Sequence, residues 1–412
     1  MDELLEPHLV NRSWLDDPAL RSLLSMLNDA NDETRIIGGA VRNALLGEEI
    51  EEVDCATTLY PEDTIARAEA AGFKVVPTGL DHGTVTVIID GTSFEVTTLR
   101  ADVETDGRHA RVRFGRDWAE DAKRRDFTMN ALSIDVDGTV HDPIGGYADI
   151  VHRRVQFIGD PETRIHEDYL RILRFFRFFA WYGAGRPDRD ALRAIVRTKS
   201  GLASLSVERV WQEVKQLLAA PDAERSVLWM RTTEVLDAVL PENWGLDQFH
   251  WLLNAEREHG LKPDALRRLQ AMLRPATDVV QGLSDRLKLS NDERKRLLDW
   301  VLEVSEGRHF ASLSVVEFAK VLYRARAGGV ADAMAHDFAK AIAKEEAGVD
   351  RISALMEFAD TWSRPELPVS GEDLIARGHT PGPKLGDALS AIEDTWVESG
   401  FVLTKEELLD EY

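Results

Sequence analysis

The hydrophobic pattern of this chain changes near residue 160, and that change constrains the fold more than any other feature. Before it, short apolar runs such as residues 84–90 and 93–99 predict strands, and Asp90-Gly91 between them predicts a tight hairpin. After it, apolar residues recur at helical spacing, beginning with Leu170 and Leu173. The pattern predicts an α+β chain: a small mixed sheet of about five strands, then an elongated all-helical remainder.

Composition narrows the class of protein. A chain of 412 residues exceeds the usual single core, so several domains are expected. The single Cys55 excludes an intramolecular disulfide and indicates a reducing, cytoplasmic compartment. The acidic N-terminus does not resemble a secretory signal, and the chain has no apolar run of the roughly 20 residues that a membrane span needs.

The charge of the chain is unevenly distributed. The formal net charge of −23 argues against bulk attraction to nucleic acid. Residues 100–216, however, hold 21 basic and 19 acidic side chains, so they are nearly neutral within an acidic protein. We therefore expect any polyanion to bind in this arginine-rich middle, while the acidic outer faces keep the protein soluble.

A glycine turn and an acidic pair form the first chemical motif. Gly38-Gly39 precedes a predicted helix, so backbone N–H groups can approach an anion, and Arg42 lies one turn further on. Glu52 and Asp54 alternate around a predicted strand at 53–57, which places both carboxylates on one face as ligands for Mg²⁺. Each feature is common by itself, but together they favour a site for a nucleoside triphosphate.

Glu95 interrupts the apolar strand predicted at 93–99. It is a candidate third carboxylate on a neighbouring strand. The competing interpretation is an ordinary outward-facing polar residue in an alternating strand, which is at least as common.

Two arginine-rich blocks follow the sheet. Adjacent arginines offer forked donors to phosphate oxygens, and neighbouring Asp and Asn side chains can bind ribose hydroxyls. The first block contains Arg124, Arg125, Asp126 and Asn130. In the second, Asp168 and three arginines at three-residue spacing share one helix stripe that could read the edge of a base: Arg171, Arg174 and Arg177. A solvated, salt-bridged helix face remains the alternative for either block.

In this order the motifs resemble the class II tRNA nucleotidyltransferases, the CCA-adding enzymes of the bacterial poly(A) polymerase superfamily. The resemblance is dense over residues 35–180 and thinner in the tail. It rests on the two blocks above together with Gly38–Arg42, Glu52–Thr58, Thr78–Thr84, Phe94–Arg100, Asp142–Gly146 and Glu167–Arg171.

The resemblance implies four domains: a catalytic head at 1–150, a neck at 151–220, a body at 221–305 and a tRNA-binding tail at 306–412. It implies addition of C, C and A to tRNA from CTP and ATP, with Glu52 and Asp54 holding two Mg²⁺ ions. Glu95, the candidate third carboxylate, is predicted to be catalytic beside them. Gly38, Gly39 and Arg42 would contact the triphosphate. Arg124, Arg125, Asp126 and Asn130 would contact sugar and phosphates, and Asp168, Arg171, Arg174 and Arg177 would form the pocket for the base.

The chain departs from the family pattern at two positions. Glu52 stands where an aspartate is usual, and Asn43 stands where an aspartate commonly follows the arginine. The segment 105–110 resembles the loop that helps full CCA enzymes switch from cytosine to adenine. Its presence favours the complete reaction over CC addition alone.

Other functions remain open at this stage. They are a poly(A) polymerase, a partial CC- or A-adding enzyme, and a non-catalytic RNA-binding protein with a decayed site. A metal phosphohydrolase built on His336-Asp337 is disfavoured, because no accompanying ligands stand at suitable spacing. That pair is interpreted as a solvated helix face.

Overall fold

The computed structural model describes residues 13–106, 109–325 and 327–411. The chain forms two compact units, Met1–Val239 and Leu240–Tyr412. Every strand among the described residues lies in the first unit, and the second unit is helical. This confirms the predicted α+β class. The finer division into head, neck, body and tail stays a prediction.

The strands of the first unit are short. They are β1 (Thr34–Ile37), β2 (Asp54–Thr57), β3 (Lys74–Gly79), β4 (Thr84–Ile89), β5 (Thr92–Thr98), β6 (Arg100–Asp106), β7 (His109–Phe114), β8 (Ser133–Ile134) and β9 (Val140–His141).

Within the described residues, seven of these strands form one mixed sheet, in the order β3-β4-β5-β2-β1-β8-β9. Only the β2–β5 pair is parallel. Asp90 (φ 49°) and Gly91 (φ 86°) join β4 to β5 with positive φ at both turn positions, as a type I′ hairpin requires. The predicted hairpin is therefore confirmed.

A second, two-stranded sheet pairs β6 with β7. The sequence analysis did not expect these strands, because few apolar residues mark them and segment 105–110 resembled a loop of the family. The predicted switching segment 105–110 falls at their shared end. Gly107 and Arg108 lie outside the described residues.

The first unit also contains helices, which come before, between and after the strands in chain order. They are α1 (Pro18–Leu27), α2 (Gly39–Leu46), α3 (Pro61–Ala70), α4 (Trp118–Lys123), α5 (Gly146–Val151), α6 (Pro161–Glu167), α7 (Leu170–Tyr182), α8 (Arg189–Thr198), α9 (Val207–Ala219), α10 (Ala223–Thr232) and α11 (Val235–Val239).

An aromatic cluster fixes α7 against the first arginine block. The ring of Phe127 lies 6.2 Å from that of Phe175 and 5.1 Å from that of Phe178, and Phe157 stacks on Phe175 at 5.6 Å. Phe127 and Phe175 are fully buried. Because aromatic side chains bury large areas, this cluster holds the residues next to Phe127 beside the helix.

The second unit is built from helices alone in its described part. They are α12 (Asp247–Glu258), α13 (Ala265–Gln270), α14 (Thr277–Leu287), α15 (Asn291–Ser305), α16 (Val315–Arg324), α17 (Ala327–Ala343), α18 (Val349–Thr361), α19 (Gly371–Ala376), α20 (Pro383–Glu398) and α21 (Lys405–Glu411). No helix of the described residues is long and apolar enough to cross a membrane.

A buried polar cluster links three helices of the second unit. Asp332 on α17 is fully buried and accepts hydrogen bonds from Arg296 (2.7 and 2.8 Å), Arg267 (3.1 Å) and Gln270 (2.8 Å). One turn later, His336 contacts the side-chain oxygen of Gln270 at 3.1 Å, and burial lowers the pKa of its imidazole to about 4. The interpretation as a solvated helix face is therefore wrong for His336: its ring is only partly exposed, contacts Gln270 and lies 5.7 Å from the ring of Trp300.

Candidate active site

The glycine turn joins β1 to α2 and faces two guanidinium groups. Gly38 has φ of 69°, which disfavours residues with a side chain, and α2 begins at Gly39. A Cβ at Gly38 would lie 3.9 Å from a terminal nitrogen of Arg125, and one at Gly39 would lie 3.5 Å from a terminal nitrogen of Arg42. A helix N-terminus flanked by two cations is a site that attracts phosphate.

Two of the predicted carboxylates meet on adjacent strands. Asp54 is the first residue of β2, and Glu95 of β5 is its register partner in the parallel pair. Paired residues of neighbouring strands point to the same face. Glu95 is exposed between the buried Phe94 and Val96, so it does face outward, and that outward face is the one that carries Asp54.

Glu52 lies in the loop before β2, because the strand begins at Asp54 and not at the predicted residue 53. The three carboxylates nevertheless interact. Partial burial of the Asp54 carboxyl raises its pKa, the negative charges of Glu95 and Glu52 raise it further, and Arg125 opposes them. The face is thus an acidic site bordered by an arginine.

Arg42 is 6% exposed, and its guanidinium contacts neutral groups. It donates to the side-chain oxygens of Asn130 (2.8 Å) and Asn43 (2.9 and 3.2 Å) and to the hydroxyl of Tyr182 (2.7 Å). Among the residues that the structure describes, no carboxylate accepts a hydrogen bond from it. Burial lowers the pKa of Arg42, although arginine stays protonated in proteins. Its charge is therefore available to an anion at the glycine turn.

Arg124 and Arg125 both pair with an acid that the sequence analysis missed. Asp121 on α4 accepts from Arg124 at 2.7 Å and from Arg125 at 2.9 Å. Burial by itself would raise the pKa of Asp121, but the charges of Arg125 and Arg124 outweigh it and hold the pKa below the usual value. Asp121 lies near the end of α4, and Arg124 and Arg125 follow it by three and four residues; this spacing was the signal that could have revealed the acid.

Asp126 and Asn130 connect the first block to α7. Asp126 accepts from Arg174 through two nitrogens, one of them at 2.8 Å, and from the side chain of Asn130 at 3.0 Å. Asn130 in turn accepts from Arg42. Burial opposes ionisation of Asp126, but Arg174 and these hydrogen bonds lower its pKa, so it is a charged structural link.

The remaining residues of the second block have separate partners. Asp168 precedes α7 and accepts from Arg209 at 2.6 Å. Arg171 pairs with Glu167, and Arg177 pairs with Glu213 at 2.6 Å. The side chains of Asp168 and Arg171 therefore have different partners, although the backbone N–H of Arg171 donates to the carbonyl of Asp168 at 3.0 Å. Arg209 and Glu213 come from α9, and nothing in the spacing of residues 164–177 could have identified them.

The acidic face offers carboxylate oxygens as donors to a metal ion. Among the described residues, no group of three or more His, Cys, Asp or Glu side chains is arranged to hold a metal ion. Mg²⁺, however, usually keeps several waters and takes one or two carboxylates together with substrate phosphates. Asp54 and its acidic neighbours, beside the glycine turn, fit that requirement because a divalent cation would relieve the repulsion that raises the pKa of Asp54.

Comparisons with known proteins agree with this geometry. Residues 34–156 match the Poly A polymerase head domain, and residues 186–244 match the family described as the probable RNA and SrmB-binding site of polymerase A. The structure resembles that of the Bacillus stearothermophilus CCA-adding enzyme in complex with CTP, with a TM-score of 0.66, 27% identity and 92% of each chain covered. It shares its fold with the Thermotoga maritima CCA-adding enzyme complexed with tRNA, with a TM-score of 0.65, 19% identity, and 98% of this chain and 96% of that chain covered.

Sequence relatives extend over nearly the whole chain. The mitochondrial CCA tRNA nucleotidyltransferase 1 of Danio rerio is 35% identical over 92% of this chain and 86% of its own length. The CCA-adding enzyme of Streptococcus pyogenes is 30% identical over 91% of both chains. The predicted resemblance is confirmed: this chain belongs to the CCA tRNA nucleotidyltransferase family.

Proposed function

We propose that this protein adds C, C and A, without a nucleic-acid template, to the 3′ end of tRNA from CTP and ATP. In each step the 3′-hydroxyl oxygen of the tRNA forms a bond to the α-phosphorus, and the bond to the departing pyrophosphate breaks. The observation that carries the proposal is the register pair of Asp54 and Glu95 beside the Gly38-Gly39 turn. The family relationship supports the choice of tRNA as acceptor.

Each residue of the site has a defined part in the proposal. The turn at Gly38 and Gly39, with Arg42 and Arg125, binds and orients the triphosphate. Arg124 and Arg125 are positioned by Asp121, and Asp126 with Asn130 aligns Arg42 and Arg174 beside the sugar. Asp168 and Arg171, with Arg174 and Arg177 behind them, select the base.

Asp54 and Glu52 would hold two Mg²⁺ ions, with Glu95 adjoining them. Bound there, the ions would activate the 3′-hydroxyl and neutralise the triphosphate and the departing pyrophosphate. Glu52 lies in the loop before β2, and from there its negative charge acts on the Asp54 carboxyl.

The test uses tRNA that lacks its 3′ end, incubated with all four nucleotides and then sequenced. We expect a CCA end from the unmodified protein and none from Asp54→Asn. Asp90→Asn is the matched control, since it makes the same chemical change in an exposed hairpin turn. A poly(A) tract or a stop after CC would contradict complete CCA addition, and no incorporation would support a binding-only protein.

We also propose a cytoplasmic location, which rests on the single, buried Cys55. The Danio rerio relative is named as mitochondrial, so the location needs its own test. Cell fractionation with antibody detection is expected to find the protein in the cytosolic fraction, and recovery with an organelle would contradict this.

A further inference from the structure

A cavity of about 240 Å³ opens at the C-terminal end of α7, outside the residues assigned above. The buried Phe179 and the exposed Ala184 belong to its lining. Its charged lining consists of four arginines and one aspartate, namely Arg153, Arg154, Arg186, Arg189 and Asp188.

The positive charge of this arginine cavity is only partly compensated. The Asp188 carboxylate accepts from the backbone N–H of Ala191 at 2.7 Å as the cap of α8. Arg154 pairs with Asp149 at 2.8 Å, and Arg153 is 3.5 Å from Glu48. Within the described part of the chain, no acid pairs with Arg186 or Arg189. The cavity therefore presents two uncompensated guanidinium groups, which suit a phosphate.

The walls of the cavity are fixed before any ligand arrives. The N–H of Ala184 donates to the carbonyl of Arg153 at 2.8 Å, which ties the two sides together. Arg225 donates to the carbonyls of Gly183 (2.7 Å) and Gly185 (3.3 Å), and its guanidinium lies 4.7 Å from the Phe179 ring centroid. A site whose backbone is already held loses little entropy on binding.

The cavity lies close to the active site along the chain. Tyr182, the last residue of α7, bonds to Arg42 beside the glycine turn, and Ala184, which lines the cavity, follows it by two residues. An RNA chain whose 3′-hydroxyl lies at that turn has its preceding backbone phosphates nearby. We propose that the arginine cavity binds a backbone phosphate of the acceptor RNA, an inference that rests on the proposed function.

The test is the double variant Arg186→Gln/Arg189→Gln. We expect the dissociation constant for tRNA lacking its 3′ end to rise about tenfold, and the dependence of binding on salt to become shallower by one to two ions. The KM for tRNA should rise in parallel, while the KM for CTP stays unchanged. Arg193→Gln is the matched control, because this arginine lies on the same helix and outside the cavity.

Binding of inorganic phosphate distinguishes a free phosphate ion from a backbone phosphate of RNA as the ligand of the cavity. If the protein binds inorganic phosphate through Arg186 and Arg189 but the double variant binds tRNA normally, the cavity holds a free anion and the RNA assignment is wrong. Unchanged binding of both ligands overturns the site altogether. CCA addition by the unmodified protein is measured in the same assay, so failure of that reaction would count against the proposed function and not against the cavity.

Discussion

Arg42 and Tyr182 are joined by two interactions. The guanidinium of Arg42 donates a 2.7 Å hydrogen bond to the tyrosine hydroxyl and lies 3.9 Å from the centroid of its ring. Arg42 is in the first turn of α2 and Tyr182 is the last residue of α7, so the pair fixes the glycine turn relative to the helix of the second arginine block. Tyr182 is thus a positioning residue that the motifs did not reveal.

Removing the hydroxyl tests this role. In Tyr182→Phe the ring remains but the charged hydrogen bond is lost, so we expect the KM for CTP and ATP to rise about tenfold with a smaller change in kcat. Steady-state kinetics measures this, with Tyr60→Phe as an exposed control. An unchanged nucleotide KM, or an effect on the KM for tRNA alone, would exclude the positioning role.

We expect the ionised Asp54 carboxylate to lower the stability of the fold and to be needed for nucleotide incorporation. Partial burial and the charges of Glu95 and Glu52 raise its pKa, so the folded protein holds this proton more tightly than the unfolded chain does. The charged form consequently costs stability at pH values above the raised pKa. Without Mg²⁺ at neutral pH, Asp54→Asn should melt at a higher temperature than the unmodified protein, while nucleotide incorporation falls at least about 100-fold.

Calorimetry and an incorporation assay check both parts of this prediction. Asp90→Asn, the exposed control, should change neither quantity. A lower melting temperature for Asp54→Asn in the absence of metal would show that the acidic face is not repulsive, and retained incorporation would remove Asp54 from the reaction.

Arg171→Ala should relax the choice of base more than it weakens binding of the triphosphate. Arg171 is anchored by Glu167 and by the carbonyl of Arg164 at 2.7 Å, and in the proposal it faces the base rather than the phosphates. Single-nucleotide incorporation with CTP, ATP, UTP and GTP measures the effect, with Arg193→Ala as control. A variant that still rejects UTP and GTP completely would contradict the selecting role.

Asp332 should be essential to the stability of the second unit. Asp332→Ala leaves Arg296 and Arg267 without their buried acceptor, so we expect a loss of about 3–5 kcal/mol in the free energy of unfolding. Urea unfolding of the full chain measures it. Asp278→Ala removes a carboxylate that is 78% exposed and should cost less than about 0.5 kcal/mol. Equal effects of the two variants would refute this role of the buried cluster.

His336 should make stability depend on pH. Its pKa of about 4 in the folded protein lies below the ordinary value of 6.5, so the unfolded chain binds the proton more tightly. Stability should therefore fall as pH decreases from about 6.5 to 4, by roughly 2–3 kcal/mol from this group. His336→Gln should flatten the dependence in that window. Identical slopes for the two proteins, measured by urea unfolding, would contradict the assignment.

Local signals predicted the parts of the fold that depend on adjacent residues. The Asp90-Gly91 hairpin and the start of α7 at Leu170 followed from turn chemistry and periodicity, and both are confirmed. The pairing of Asp54 with Glu95 could not be derived in this way. It joins positions about 40 residues apart in a parallel register, which is set by packing across the sheet and not by the sequence near either residue.

The candidate site, too, was predicted from the sequence only in part. Its residues were named from motifs, but their partners were not, because Arg209, Glu213 and Tyr182 reach the site through helix packing. The helix stripe predicted to contain both Asp168 and Arg171 does not form as predicted, for a related reason. Asp168 has extended backbone before α7 begins, so it does not share the helical stripe.

The buried thiol of Cys55 gives the central strand a natural reporter. Cys55 follows Asp54 directly, is fully buried, and is the single cysteine of the chain. Burial raises the pKa of this thiol, so a thiol reagent can modify it only when β2 separates from its neighbours. The rate of labelling would therefore report how often the strand that carries Asp54 separates from its neighbours, and a slower rate with CTP would measure how strongly the nucleotide stabilises the sheet.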